Sequence, residues 1–509
     1  MRITLNRIYR FLGLNQQTNN DIVISQVVVD SRKVTKGSMF VALHGERTDG
    51  HEYIACAIEK GAAVILAEEN YRRKIESDIA SALLKKATIV YVEDTLKAMG
   101  IIAGGLLNDA EMLTLRKVAV TGSVGKTTTK EMIACCLSAG GNTHKTQGNR
   151  NSEIGFPLTI YDMPEDSEFA VCEMGMRGLG QIKYLTEIFR PHVAVITNIG
   201  IAHIELLGSQ QNILRAKLEI VLGMENSEKS VLLLNGDDIM LSNKEAVLQI
   251  LAEYGADKIL VRYFGTDEKC DFRICNAQST DKSQMFTLCY AETARYAART
   301  TPGAQTTPGA RTTPGAQTAE KRLDVTINVP GAHNLMNAAA SLACALLMDV
   351  DIDKAIACLT EFGGEDVIRQ KIITTAKGTI IDDTYNAGPE SMKAALSVLS
   401  GMKADIKIAA LADMLELGTF SCKAHEEVGE AASFCADILV AYGRLAEHYG
   451  SKFRGRKFMT DELDDTINVL KELIDHYCMQ SKNVAILVKG SNSMKMNTVA
   501  NALQEYMNN

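Results

Sequence analysis

Residues 118–139 read VAVTGSVGKTTTKEMIACCLSA: an apolar run, a glycine-bearing turn, then a segment with helical spacing. A strand that feeds a glycine turn and opens a helix points backbone N–H groups and the positive helix end at an anion. Gly125-Lys126-Thr127 ends the turn as a phosphate-binding loop ends. Lys126 can carry charge to the β- and γ-phosphates of a nucleoside triphosphate, and Thr127 can offer a hydroxyl to magnesium. The general pattern has a glycine five positions before Gly125, where this chain has Val120. Its first glycine is Gly122, which makes the loop tighter. The expected nucleotide cradle is therefore Gly122, Ser123, Val124, Gly125, Lys126, Thr127 and Thr128.

Outward from this loop the chain alternates short apolar strands with helical segments, the pattern of α/β layers. A first block contains DIVISQVVVDSR, GSMFVALHG and AAVILAEE. A second begins at RKVAV (116–120) and continues through FAVCEMG (169–175), HVAVITNIG (192–200), SVLLLNGDD (230–238) and DKILVRYFG (257–265). A third has GTIIDD (378–383), IKIAALADM (406–414), ADILVAYG (436–443) and NVAILVKG (483–490). The spacing predicts mostly parallel sheets and three domains, 1–112, 113–362 and 363–509, with a hinge near Glu361–Arg369. Residues 301–318 are three near-identical hexapeptides, TPGAQT, TPGART and TPGAQT. Such a tract cannot bury enough apolar surface to offset its ordering entropy, so it reads as an insertion in a β-rich surface stretch.

The 509 residues include 54 Lys+Arg and 62 Asp+Glu, a net charge of −8, with 46% hydrophobic residues. This balance describes a globular chain and disfavours a surface built for nucleic acid or anionic lipid. Twelve cysteines form no CxxC pair, which fits reduced, buried thiols. MRITLNRIYRFLGLNQQTNN lacks an apolar stretch of signal-peptide length, and no segment reaches the ~18 apolar residues of a membrane span. The expected location is the cytoplasm.

A polyphosphate site needs a divalent ion with hard oxygen ligands. Glu173 ends the strand FAVCEMG, where a parallel sheet places its functional groups. His203 follows HVAVITNIG after a short loop, and Lys217 lies on the helical stretch ILRAKLEI. Taken singly, each also suits a blander role: a capping carboxylate, a loop histidine, a solvated helix face. Their order after the loop makes them metal-site candidates.

The runs TGSVGKTTTKE, GNRNSEIGFPLT, EMGMRGLGQI, ITNIGIAHIELLGS and AKLEI together resemble the central domain of the Mur ligases. DSRKVTKGSMFVALHGERTDGHEYI resembles the family's N-terminal uridine-nucleotide domain, and PGAHNLMNAAAS, IDDTYNAGPESMKAAL, LADMLELG, HEEVG and LVKGSNSMKM its nucleotide-closing and C-terminal elements. The resemblance spans nearly the whole chain outside the hexapeptide tract. It implies three α/β domains with a central P-loop ATPase domain and a Rossmann-like C-terminal domain, acting as a cytoplasmic monomer. It also implies an ATP-dependent amide ligase, nearest to members that add D-alanyl-D-alanine to UDP-N-acetylmuramoyl-tripeptide through an acyl phosphate.

By the same resemblance, Thr127 and Glu173 hold a first magnesium, and His203 with a carbamylated Lys217 a second. Lys126, Lys217, His203 and Arg369 become the catalytic set. Asn334 and Asn337 lie near adenine; Asp382, Asp383, Tyr385 and Asn386 face the nucleotide from the C-terminal side; Asp413 attends the ribose. Ser31, Arg32, Glu46, Arg47, Thr48 and Asp49 match uridine-diphosphate contacts, and Asn149, Asn151 and Ser152 seat the sugar-peptide. The chain departs from the pattern at Ser152, Gln181, Gly388 and Asn492; the last stands where relatives carry Arg. Two other readings compete: a sister Mur or folylpolyglutamate-type ligase that adds one amino acid, and a nucleotide switch with no amide chemistry. A switch has no need of Glu173, His203 and Lys217 together.

Overall fold

Val118 and Val120 pack on one face of the strand Arg116–Thr121 and Ala119 on the other, so this strand is covered on both sides. Strands buried on both faces read as unbroken apolar runs, which is how VAVIT and VLLLN look. The computed structural model describes residues 3–16, 18–19, 21–45, 48–280, 283–292, 320–363 and 370–508. Glu46, Arg47, Arg369, most of the expected hinge and the hexapeptide tract fall outside them.

The central sheet has nine strands among the described residues. In spatial order they are Glu320–Ile327, Gln284–Ala291, Phe272–Ser279, Leu260–Gly265, Val231–Asn235, Val193–Ile196, Arg116–Thr121, Phe169–Glu173 and Thr143–Lys145. From Thr143–Lys145 to Phe272–Ser279 every pair is parallel. The last two pairings are antiparallel, so the β-rich stretch around the hexapeptides is a meander added to the sheet edge.

A smaller sheet of four parallel strands, Val27–Val28, Met39–Val41, Val64–Glu68 and Thr88–Val92, precedes it. The helix Thr95–Leu107 then packs on the central part: Tyr161 donates its hydroxyl to the Met99 carbonyl at 2.6 Å, and Tyr184 to that of Leu96 at 3.2 Å. One continuous core therefore runs from Ile3 to Tyr263. After the central sheet come six strands ordered Lys371–Thr375, Gly378–Asp383, Val484–Lys489, Ile406–Ala412, Ile438–Tyr442 and Arg456–Thr460. All but the first pair are parallel, with helices on both faces, the doubly wound arrangement. No described helix is long and apolar enough to cross a membrane.

Candidate active site

The loop leaves the carboxyl end of Arg116–Thr121 and enters the helix Lys126–Ser138. Gly125 has φ of 84°, a conformation that costs other L-residues strain. At Gly122 a Cβ would stand 1.9 Å from the Thr197 hydroxyl, so only glycine fits against the neighbouring strand end. Asn198 braces the loop. Its Oδ1 accepts from the N–H groups of Ser123 (3.1 Å) and Val124 (2.9 Å), while its Nδ2 donates to the Val124 carbonyl (3.0 Å). Thr197 donates to that carbonyl at 2.6 Å. Lys126 bends back, giving Nζ–H to the carbonyls of Gly122 (2.7 Å) and Ser123 (3.1 Å).

Thr127 donates its hydroxyl to Glu173 Oε2 at 2.7 Å, and Asn151 Nδ2 donates to Oε1 of the same carboxylate at 2.7 Å. Glu173 is 1% exposed and forms no ion pair with a cationic side chain among the described residues. A buried carboxylate served only by neutral donors is a place prepared for a cation. Lys217 is also buried, and burial, aided by the nearby charge of Lys126, holds its amine well below the usual lysine range. His203 is held below its usual value by burial, against the pull of Glu416, whose Oε2 lies 2.6 Å from its Nδ1.

Beneath the loop, Thr129 donates to Asn337 Oδ1 at 3.0 Å, Asn337 donates to Asn334 Oδ1 at 2.8 Å, and Asn334 to the Pro330 carbonyl at 2.7 Å. This chain ties the helix His333–Leu347 to the loop helix. A cavity of about 370 Å³ opens above, lined by residues 123–128, Asn334, Asn337 and His203. The opposite wall carries Asp383, Tyr385 and Asn386 from the C-terminal sheet, with Lys489 behind them. Lys489 is 2% exposed and donates to Asp383 Oδ2 at 2.7 Å and to the Asn386 carbonyl at 2.9 Å. Asp382 accepts from the Thr384 hydroxyl at 2.6 Å.

The remaining candidates lie elsewhere. Asp413 does not line this cavity: it is buried after the strand Ile406–Ala412, accepts from the Leu445 N–H at 3.1 Å, and burial raises its carboxyl pKa. Asn149 is exposed, and Ser152 accepts from the Gly155 N–H at 3.3 Å. In the first block Ser31 opens a 3-10 turn, Arg32 is exposed and held by Asp30, and Thr48 is exposed. Burial raises the Asp49 carboxyl, but hydrogen bonds from Tyr71 and His51 outweigh it and bring it to about 2. Of the departures, Gln181 accepts from the Arg177 N–H at 2.6 Å, Gly388 precedes the helix Pro389–Gly401, and Asn492 donates to the Tyr385 carbonyl at 3.2 Å.

Asn198, Glu416 and Lys489 carry parts of this site that the sequence reading did not assign. Only Asn198 left a signal, standing just past a strand end beside the loop strand.

Residues 23–105 match the Mur ligase family catalytic domain, 120–345 the Mur ligase middle domain, and 368–492 the Mur ligase glutamate ligase domain. The chain is 33% identical over 496 residues to the UDP-N-acetylmuramoyl-tripeptide--D-alanyl-D-alanine ligase of Bacillus subtilis, covering 95% of this chain and 94% of that one. To the Escherichia coli ligase of the same name it is 31% identical, with 99% and 98% covered. A crystal structure of MurF from Acinetobacter baumannii superposes with a TM-score of 0.82 at 27% identity, covering 99% of each chain.

Proposed function

This chain belongs to the Mur ligase family, and we propose that it joins D-alanyl-D-alanine to UDP-N-acetylmuramoyl-tripeptide, cleaving ATP to ADP and phosphate. The reading is carried by one observation: the phosphate loop and the C-terminal residues Asp383, Tyr385 and Asn386 face each other across a single cavity. The relatives that match along the whole chain are ligases of this name. The one-amino-acid alternative has no comparable support.

A carboxylate and an amine do not condense in water without activation. The tripeptide's terminal carboxylate attacks the γ-phosphorus in line, forming an acyl phosphate and releasing ADP. The dipeptide amine, once deprotonated, adds to the acyl carbon, and the tetrahedral intermediate expels phosphate. The protein's part is positioning and charge neutralisation. The N–H groups of Gly125, Lys126 and Thr127, at the helix start, face the polyphosphate. Lys126 must leave the Gly122 and Ser123 carbonyls to meet it, so its resting contacts keep the ammonium within reach. Asn334 and Asn337 stiffen the floor of the nucleotide pocket, and Lys489 neutralises Asp383 so that the C-terminal wall does not repel the nucleotide.

Hard oxygen donors at Thr127 and Glu173 fit one magnesium ion. A second fits His203 with a carbamylated Lys217, because carbamylation needs a neutral amine and burial favours that form. Magnesium supplies charge neutralisation on the phosphate oxygens. We take the chain to act as a monomer, and dependence on ATP suits the cytoplasm.

Mass spectrometry of the product tests the reading. With both substrates and ATP, the UDP-tripeptide should gain one dipeptide less a water. A gain of one amino acid from a single-residue donor, with none from the dipeptide, would favour the sister activity instead.

A further inference from the structure

At the end of the central sheet opposite the phosphate loop, a cleft of about 740 Å³ opens among Lys117, Glu187, Arg190, His192, Met224, Lys229 and neighbouring loop residues. Lys117 is 7% exposed, yet its ammonium has no hydrogen-bond acceptor and no carboxylate partner among the described residues. Lysines this buried are normally paired, and this one instead lines the open cleft. Burial, aided by the nearby cation Arg190, brings the Lys117 pKa down to about 8.

The other candidate donors line the same cleft. Arg190 ends the helix Gln181–Phe189 in a left-handed conformation, φ 53°, and its guanidinium has no partner among the described residues. His192 Nδ1 accepts from the Lys117 backbone N–H at 3.0 Å. The ring proton must then sit on Nε2, and burial with the charges of Lys117 and Arg116 keeps the ring neutral, near pKa 4. The two carboxylates lining the cleft, Glu187 and Glu225, are exposed, and neither pairs with Lys117 or Arg190. What is missing is an acceptor.

We propose that this cleft is an oxyanion site that takes a phosphate-bearing small molecule, with Lys117, Arg190 and the His192 Nε2–H as its donors. An ammonium, a guanidinium and one neutral N–H suit a tetrahedral phosphate. The site is separate from the nucleotide cavity, but Lys117 and Gly122 lie on one strand and its following loop, roughly 16 Å apart at 3.3 Å per residue. A ligand here grips the same strand that delivers the phosphate loop.

The test is equilibrium binding of radiolabelled inorganic phosphate to the full chain, with the nucleotide loop saturated by a non-hydrolysable ATP analogue. One phosphate per chain is expected. Arg190→Gln, at an exposed side chain, should raise its Kd by about tenfold or more, and Lys117→Met likewise, whereas Lys126→Ala should leave it unchanged. Displacement by a phosphate monoester such as glycerol 3-phosphate, but not by equimolar citrate, fits the proposal; stronger displacement by citrate would overturn the phosphate class. No binding at millimolar phosphate overturns the site. So does binding that survives in both cleft variants and disappears in Lys126→Ala.

Discussion

His203 Nδ1 and Glu416 Oε2 meet at 2.6 Å, and both residues stand in left-handed backbone, with φ of 63° and 64°. One follows the central strand Val193–Ile196 and the other the C-terminal strand Ile406–Ala412, so the contact joins two sheets. A left-handed non-glycine residue costs on the order of 1 kcal/mol, and such strain persists where surrounding structure overdetermines it. Nearby, Glu390 accepts from the Ile201 N–H at 3.2 Å, and a Cβ on Gly418 would touch Glu205 at 3.2 Å. These contacts hold the C-terminal wall over the loop.

Glu416→Ala should therefore act on assembly of the site more than on its chemistry. The pair is partly exposed, so its worth is modest. Steady-state kinetics should show kcat/KM for ATP reduced about three- to tenfold, mainly through KM. An equal fall in kcat with KM unchanged would contradict the latch.

Glu173→Gln keeps the shape of the carboxylate and removes its charge. It should lower kcat at least about a hundredfold and move the magnesium dependence to higher concentrations, with Thr127→Val shifting it in the same direction. Unaltered magnesium dependence would remove Glu173 from the metal set.

Lys217→Ala should abolish turnover, with partial rescue by a short carboxylate such as acetate, which can supply the missing anionic oxygen. Wild-type rates in the variant would end the carbamate account.

His425 supplies a pH prediction distant from the chemistry. Its Nε2 accepts from the Met414 N–H at 3.0 Å, its Nδ1–H donates to the Ser421 carbonyl at 2.7 Å, and burial lowers its pKa to about 4. The unfolded histidine, near 6.5, binds its proton first as pH falls. Stability is therefore full above about 6.5, declines between 6.5 and 4, and levels off below, a loss of up to about 3 kcal/mol from this one group. Urea midpoints at pH 7.5 and 5 should show the decline, and His425→Gln should be less stable at pH 7.5 but flatter between the two. Equal slopes would contradict it.

Much of this was legible in the chain itself. Gly125-Lys126-Thr127 sits between a strand and a helix whose patterns are strong, and Glu173 ends the adjacent strand, so local spacing was enough to find both. Glu416 lies 213 residues from His203 and Lys489 lies 106 from Asp383. No periodicity in a single sequence encodes such pairings: the first arises only when two sheets pack, the second only when Gly378–Asp383 and Val484–Lys489 align as neighbouring strands. Asn151, expected to seat the sugar-peptide, is bonded to Glu173, since the turn before the helix Gly155–Tyr161 folds back over the strand end.

The most direct measurement is phosphate release from ATP with UDP-N-acetylmuramoyl-tripeptide present, comparing D-alanyl-D-alanine, single amino acids and no acceptor. The account predicts sustained release only with the dipeptide, abolished in Lys126→Ala. Release that proceeds at the same rate without the dipeptide, or that is driven instead by a single amino acid, would contradict it.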